Sequence, residues 1–251
     1  MTDDVVATPP ASEVIFQTPL QVLCEDGPVL AVNKPAGLLT QGVPAGLPTL
    51  ESQVRDYIKR KYDKPGNVYL GIPHRLDRPT SGVLVFARNS KAAARLAEQF
   101  HDRRIRKEYL AIVESAPAEA EGTLTDWLLK DAARSHVERV PPETSGAKEA
   151  TLRYRVVAAQ HGKSLLHIEP HTGRMHQIRV QLACRGWHVA GDVQYGAKTA
   201  MPADGTVRAG DVIALHARRL TILHPVRYDA LMIEAPVPAA WAAFGLTDPD
   251  C

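Results

Sequence analysis

Three short stretches hold most of the residue types that could do chemistry. The first is His74-Arg75-Leu76-Asp77-Arg78-Pro79-Thr80-Ser81-Gly82, which sets one carboxylate between two guanidiniums, with an imidazole and two hydroxyls close by. Flanking cations favour the ionised form of Asp77. An ionised, fixed carboxylate can act as a nucleophile or a base, although an aspartate beside arginine is also the ordinary composition of a surface turn. The second stretch is His171-Thr172-Gly173-Arg174-Met175-His176-Gln177-Ile178-Arg179, and the third is Lys107-Glu108-Tyr109-Leu110-Ala111. Arginine's planar fork suits carboxylate and phosphate partners, whereas a strand tyrosine is in most settings half-buried packing. His167 and His171 raise the question of a metal. They need not share a face, since His167 falls in an expected strand, and no acidic or cysteine ligand clusters with them, so no metal site is expected.

Several elements must hold these stretches in place. Pro79 and Gly82 predict a turn at the end of the first, and nothing in it has the composition of core. Val83 to Ala87, which follows, reads as a buried strand. A hairpin is predicted from Leu20-Gln-Val-Leu-Cys24 to Val29-Leu-Ala-Val32 through Glu25-Asp26-Gly27-Pro28. Thr49 caps a predicted helix reaching about Tyr62, and Asn89-Ser90 caps a second through Phe100 with Ala93, Leu96, Ala97 and Phe100 as its apolar stripe. Lys107 to Val113 alternates as a strand. Residues 115–148 are uninformative, with one short strand or helix at Leu124–Leu129. Two further strands, 150–158 and 164–169, join at Gln160-His161-Gly162-Lys163. Thr172 is a candidate cap and Gly186 a candidate stop for a helix that would set Met175 and Arg179 on one face. Strands at 215–223 and 231–235 and a helical turn at 239–244 close the chain. Many strands, few helices and several hairpins argue for an antiparallel-rich α+β sheet.

The 251 residues are enough for a sizeable core, and 45% hydrophobic with 23% charged residues is ordinary for a globular domain. No apolar run approaches a membrane span and no leader is visible, so a cytoplasmic protein without membrane association is expected. Cys24, Cys184 and Cys251 are odd in number and far apart, which suits reduced thiols. Net charge is only +2, but Arg103, Arg104, Arg106 and Lys107, with Arg174, Arg179, Arg185, Arg218 and Arg219, together read as a phosphate track.

The nonapeptide resembles the signature loop of the RluA-type pseudouridine synthases, His-Arg-Leu-Asp-Arg-x-Thr-Ser-Gly. Lys107-Glu-Tyr109-Leu-Ala111 resembles that family's Lys-x-Tyr-x-Ala motif, and Thr172 to Arg179 resembles its Thr-Gly-Arg-x-His-Gln-(Ile/Leu)-Arg motif. Asn33-Lys34-Pro35-Ala36-Gly37, Gly191-Asp192-Val193-Gln194-Tyr195-Gly196 and Leu215 to Leu220 extend the resemblance, which runs from about residue 20 to residue 238. It implies an α+β pseudouridine synthase fold, a mixed and mostly antiparallel sheet with flanking helices and a central basic cleft. The implied reaction isomerises specific uridines in structured RNA, with ribosomal RNA ahead of transfer RNA and a non-catalytic RNA-binding module as the alternative. Asp77 would be the catalytic aspartate, Arg179 its pairing partner, and Tyr109 a residue lying on the target base and a candidate to take the C5 proton. Arg75 would fill the stack vacated by a flipped uridine. Arg78, His176, Gln177 and Lys34 would contact RNA or lie beside the cleft. Neither a cofactor nor ATP is implied, and a monomer is. The expected organisation is a disordered arm over 1–18, one catalytic domain over 19–245 with no room for an S4-type domain before it, and a tail over 246–251.

Overall fold

The computed structural model describes residues 19–42, 48–131, 133–201 and 211–246. The expected arm and most of the expected tail lie outside these. Ten strands of the described residues form one sheet: β1 (Gln21–Asp26), β2 (Val29–Lys34), β3 (Ser81–Ala87), β4 (Arg106–Val113), β5 (Glu121–Asp131), β6 (His136–Val140), β7 (Lys148–Gln160), β8 (Lys163–Pro170), β9 (Leu215–Leu223) and β10 (Ala230–Glu234). Their order is β1-β2-β3-β9-β4-β8-β7-β5-β6, with β10 paired to the far end of β9. The β3–β9 ladder is parallel and joins Ser81 to His216 and Gly82 to Ala217; the other ladders are antiparallel. The expected mixed, mostly antiparallel α+β sheet is therefore what the chain forms.

The short parallel contact matters because it fixes the Asp77 stretch to the middle of the sheet. Gly82 has φ +116°, and a Cβ there would fall inside the Ala217 backbone. Only glycine lets the two strands meet so closely. Leu76 and Thr80 are buried, as is all of β3, so half of the stretch is core, contrary to its polar composition. The turn forms as predicted, with Thr80 N–H donating to the Asp77 carbonyl.

Alternation along β2 and β3 divides their side chains between two layers. Leu30, Val32, Leu84 and Phe86 face α1 (Leu50–Lys61), which contributes Leu50, Val54 and Ile58. Val29, Ala31, Val83 and Val85 face α2 (Ser90–His101), which contributes Ala92 and Leu96. Burying each such aliphatic side chain is worth about 1.5–3 kcal/mol. Thr49 and Ser52 complete a capping box on α1, and Asn89 caps α2. The buried stripe of α2 is rotated from the expected one. Ala97 is exposed, while Gln99 is buried because its amide exchanges two hydrogen bonds with the Leu223 backbone. The β7–β8 connection is a two-residue turn with His161 and Gly162 both at positive φ, which matches strand twist.

Two imidazoles, His74 half-buried and His216 buried, tie the sheet to its surroundings. His74 stacks on Phe100 with ring centroids 4.3 Å apart, and its Nε2 accepts from the Val85 N–H; burial lowers its pKa to about 3 from an ordinary 6.5. His216 lies beside the Ser81 hydroxyl, and burial lowers its pKa to about 4. Both pKa values fall on folding, so the unfolded chain binds more protons below pH 6.5. Their contribution to stability is present above about pH 6.5 and is lost as pH drops towards 4 and 3. Thermal denaturation between pH 7 and pH 4 should show Tm falling steadily on acidification; a Tm that holds constant over that range would contradict this.

Candidate active site

Asp77 ends the extended run that follows α1, one turn before β3. Its side chain is 26% exposed and opens into a cavity of about 620 Å³. Tyr109 and Arg179, two of the three sequence-predicted catalytic residues, line this cavity with the third, Asp77 itself. Tyr109 arrives from β4 next to a bulge, where the β4–β9 register slips between Glu108 and Tyr109. Bulges re-aim side chains in this way. Burial raises the pKa of its phenol, and the charge of Asp77 raises it further, so Tyr109 is a neutral phenol.

Arg179 comes from α3 (Gln177–Ala183), which is shorter than the predicted helix. Thr172 does not cap it. Instead its hydroxyl donates to Gln177 Oε1 and accepts from Thr151 N–H, which ties the loop to β7. Met175 lies outside the helix, and His176 precedes it with φ +50°. Arg179 is only 3% exposed, and its fork is held by Asp192. Nε and Nη2 donate to Asp192 at 2.6 and 2.7 Å, and Nη2 also donates to Gln194 Oε1 at 2.9 Å. Nη1 then lies 3.8 Å from Asp77 Oδ2. The expected Arg179–Asp77 pair is therefore a long contact, held by a short one to Asp192 behind it.

The expected RNA contacts divide. Arg75 is exposed at the cavity, with no ion pair among the described residues. Arg78 is exposed but turns away from Asp77, pairing with Asp211 at 3.3 Å and donating to the Gly37 carbonyl at 3.0 Å. His176 lies within the Asp77 cluster, its Nε2 3.9 Å from Asp77 Oδ2. Gln177 lines the cavity but is buried, accepting from Thr172 and Arg174 and donating to the Thr151 carbonyl, so its amide braces the loop.

Lys34 faces inward. It is 0% exposed, and Nζ donates to the carbonyls of Pro35 at 2.9 Å, Leu38 at 2.7 Å and Arg78 at 3.0 Å. Burial pulls its pKa down to about 7, against the opposing pull of Asp77. Three carbonyl acceptors match the three N–H groups of an ammonium, which pins the Asn33–Gly37 turn to the Asp77 stretch. Lys34→Met keeps the volume and strands those carbonyls, so it should destabilise by about 2–4 kcal/mol. Urea denaturation measures that, and unchanged RNA affinity in the surviving protein separates bracing from RNA contact.

The expected phosphate track is also thinner than its composition suggests. Arg104 pairs with Glu98 and Asp102, Arg185 with Asp126, and Arg218 and Arg219 with Glu234. Around the Asp77 cavity, Arg75, Arg103 and Arg174 carry no ion pair among the described residues. Lys107 donates to the Thr172 carbonyl, and burial lowers its pKa to about 8. The residues that sequence reasoning missed are Asp192 and Tyr195. Their signal was present in Gly191-Asp-Val-Gln-Tyr-Gly196, where a carboxylate and a phenol sit three apart between two turn glycines.

Known proteins resemble this chain over most of its length. The RNA pseudouridylate synthase family profile matches residues 28–184. The chain is 36% identical over 230 residues to ribosomal large subunit pseudouridine synthase D of Xylella fastidiosa, covering 88% of this chain and 66% of that protein. It is 34% identical over 218 residues to the dual-specificity RNA pseudouridine synthase RluA of Escherichia coli, covering 86% and 93%. Its fold matches human RNA pseudouridylate synthase domain containing 4 with a TM-score of 0.74 at 22% identity, over 95% of this chain and 97% of that one. Human RNA pseudouridylate synthase domain containing 1 gives 0.65 at 27% identity, over 86% and 83%. No helix among the described residues is long and apolar enough to cross a membrane.

Proposed function

The chain belongs to the RNA pseudouridylate synthase family, and from that membership we propose that it isomerises uridine in ribosomal RNA with Asp77 as the catalytic carboxylate. The observation that carries this reading is the convergence of Asp77, Arg179 and His176 within 4 Å on one wall of a cavity that Tyr109 also lines. Ribosomal RNA is favoured over transfer RNA because the first relative's name assigns it the ribosomal large subunit. The protein is taken to act as a monomer.

In the reaction the N1–C1′ bond of uridine breaks, the uracil turns, and a C5–C1′ bond forms. The C5 hydrogen leaves as a proton and N1 takes one up, so nothing is oxidised or reduced and the uracil is both leaving group and nucleophile. Asp77 can serve by attack on the sugar, by addition to the base or by removing a ribose proton, and each route needs an anionic carboxylate at this position. Arg179, charged and fixed by Asp192, stabilises that anion from 3.8 Å. Tyr109 packs against the base, and as a neutral phenol it would need a base of its own to accept the C5 proton. The cavity is open enough to admit one flipped nucleotide, as chemistry on a base in folded RNA requires. Arg75 fills the vacated stack, and Arg103 and Arg174 meet backbone phosphates.

Tritium release tests the proposal, because loss of the C5 hydrogen is specific to this isomerisation. Ribosomal RNA labelled at uridine C5, from cells lacking the gene, should release tritium on addition of the protein and plateau at a small whole number per RNA. Absence of release from that RNA, with release from transfer RNA instead, would reassign the substrate. Absence from both would remove the activity.

A further inference from the structure

His176 stands out on two grounds that the reading above does not use. Its backbone is left-handed, at φ +50° and ψ +19°, although no glycine relieves that conformation. Histidine tolerates this region better than most residues, and such outliers collect at functional positions. Its ring is also wired on one side only. Nδ1 lies 2.8 Å from the Tyr195 hydroxyl, while among the described residues Nε2 makes no hydrogen bond, its contact with Asp77 Oδ2 being 3.9 Å.

The hydrogen bonds of the hydroxyl favour one of the two ring tautomers. Tyr195 Oη accepts the Val137 N–H at 3.1 Å. Its own single proton then has one acceptor recorded among the described residues, His176 Nδ1. Were Nδ1 protonated, the phenol proton would have to leave this chain of hydrogen bonds for solvent. Burial keeps the phenol protonated by raising its pKa to about 12, and burial lowers that of the imidazole. The charged groups around the ring are Asp77 and Asp192, which favour its protonation, and Arg179 and His136, which oppose it. Tyr195 is itself clamped, with His136 stacked on its ring at 4.8 Å and the Arg179 guanidinium over it, also at 4.8 Å.

We propose that the chain Val137 N–H to Tyr195 Oη–H to His176 Nδ1 holds His176 as its Nε2–H tautomer, and that this unspent donor binds an oxygen of the target nucleotide at Asp77. His176 is then a catalytic residue that stabilises a uracil or ribose oxygen as charge develops on it, keeping its proton throughout. Tyr195 is a positioning residue that acts through it. The substrate half of this inference rests on the proposed isomerisation; the tautomer half does not.

The two halves are tested separately. In protein labelled with ¹⁵N histidine and free of RNA, long-range ¹H–¹⁵N spectra at pH 7 should show His176 with Nε2 protonated and Nδ1 bare. Tyr195→Phe keeps the ring contacts and should lose that pattern. An Nδ1–H tautomer in the wild type, or an unchanged spectrum in Tyr195→Phe, overturns the relay. For the second half, tritium release is measured on C5-labelled ribosomal RNA. His176→Phe should lower kcat about 100-fold with little change in KM, the loss expected for one preorganised donor. Tyr195→Phe should lower it about tenfold, as a donor left unfixed rather than removed. His176→Gln, whose amide N–H reaches towards the same place, should recover part of the loss, which a purely structural histidine would not require. If both Phe variants turn over at the wild-type rate while Asp77→Asn is dead, the donor role fails and the isomerisation stands. If Asp77→Asn also turns over normally, the isomerisation reading itself has failed.

Discussion

Asp77→Asn should abolish tritium release, by about 10⁴-fold or more, the scale of loss seen when a residue at the centre of covalent or proton-transfer chemistry is removed. The substitution is isosteric, and among the described residues the Asp77 carboxylate has no short polar partner that would be stranded. Arg179 is 3.8 Å and His176 3.9 Å away, and the side chain is partly exposed. The fold should therefore keep its stability to within about 1 kcal/mol. RNA affinity should stay within about tenfold of wild type, because phosphate contacts from the surrounding arginines carry binding. That separation is what makes the variant informative. Inactive protein that still binds assigns chemistry to the carboxylate, whereas parallel loss of binding and turnover would make Asp77 an RNA contact.

The second large effect falls on the pair behind Asp77. The sequence alone suggests that Arg179→Ala would lose rate without unfolding. The structure changes that expectation, since removing the guanidinium leaves the Asp192 carboxylate, 2% exposed, without its bidentate partner. An uncompensated buried charge costs about 3–5 kcal/mol, so Arg179→Ala and Asp192→Ala should both melt far below wild type and lose activity. Activity lost through unfolding says nothing about catalysis. The double variant Arg179→Met with Asp192→Leu resolves this, because replacing a buried ion pair by apolar groups of similar volume is often neutral or stabilising. Its stability should return to within about 1–2 kcal/mol of wild type while its turnover stays absent. If turnover returns with stability, Arg179 acts only as part of the scaffold.

Much of the fold was legible because local chemistry and tertiary demand agree. Thr49 and Asn89 start helices where their side chains can accept from the first free N–H groups, and the strand at Leu215–Leu223 falls where its apolar run lies. The reading failed where a polar residue faces inward. β5 is an eleven-residue strand where the sequence offered only a short strand or helix at Leu124–Leu129, since Asp126 occupies a buried position between Leu124 and Leu128 and interrupts the apolar alternation. It is satisfied by Gln181 and Arg185, more than fifty residues away. Lys34 and Gln177 look like RNA contacts for the same reason. Each is polar beside a cleft, and only three-dimensional neighbours reveal that the three donors of Lys34 are spent and that the amide of Gln177 is bonded on both sides. The motif residues Asp77, Tyr109 and Arg179 were named from the sequence and line one cavity. What the sequence could not convey was that Asp192 holds Arg179 and Tyr195 holds His176, because a salt bridge thirteen residues apart across a loop leaves no periodic trace.

The central claim is that this chain converts uridine to pseudouridine through Asp77. Carbodiimide and alkali mapping of total RNA from cells with and without the gene addresses it most directly, since the adduct that survives alkali marks pseudouridine as a primer-extension stop. The account predicts a stop in ribosomal RNA that vanishes in the deletion, returns with the wild-type gene and stays absent with Asp77→Asn. A stop restored equally by Asp77→Asn would contradict it.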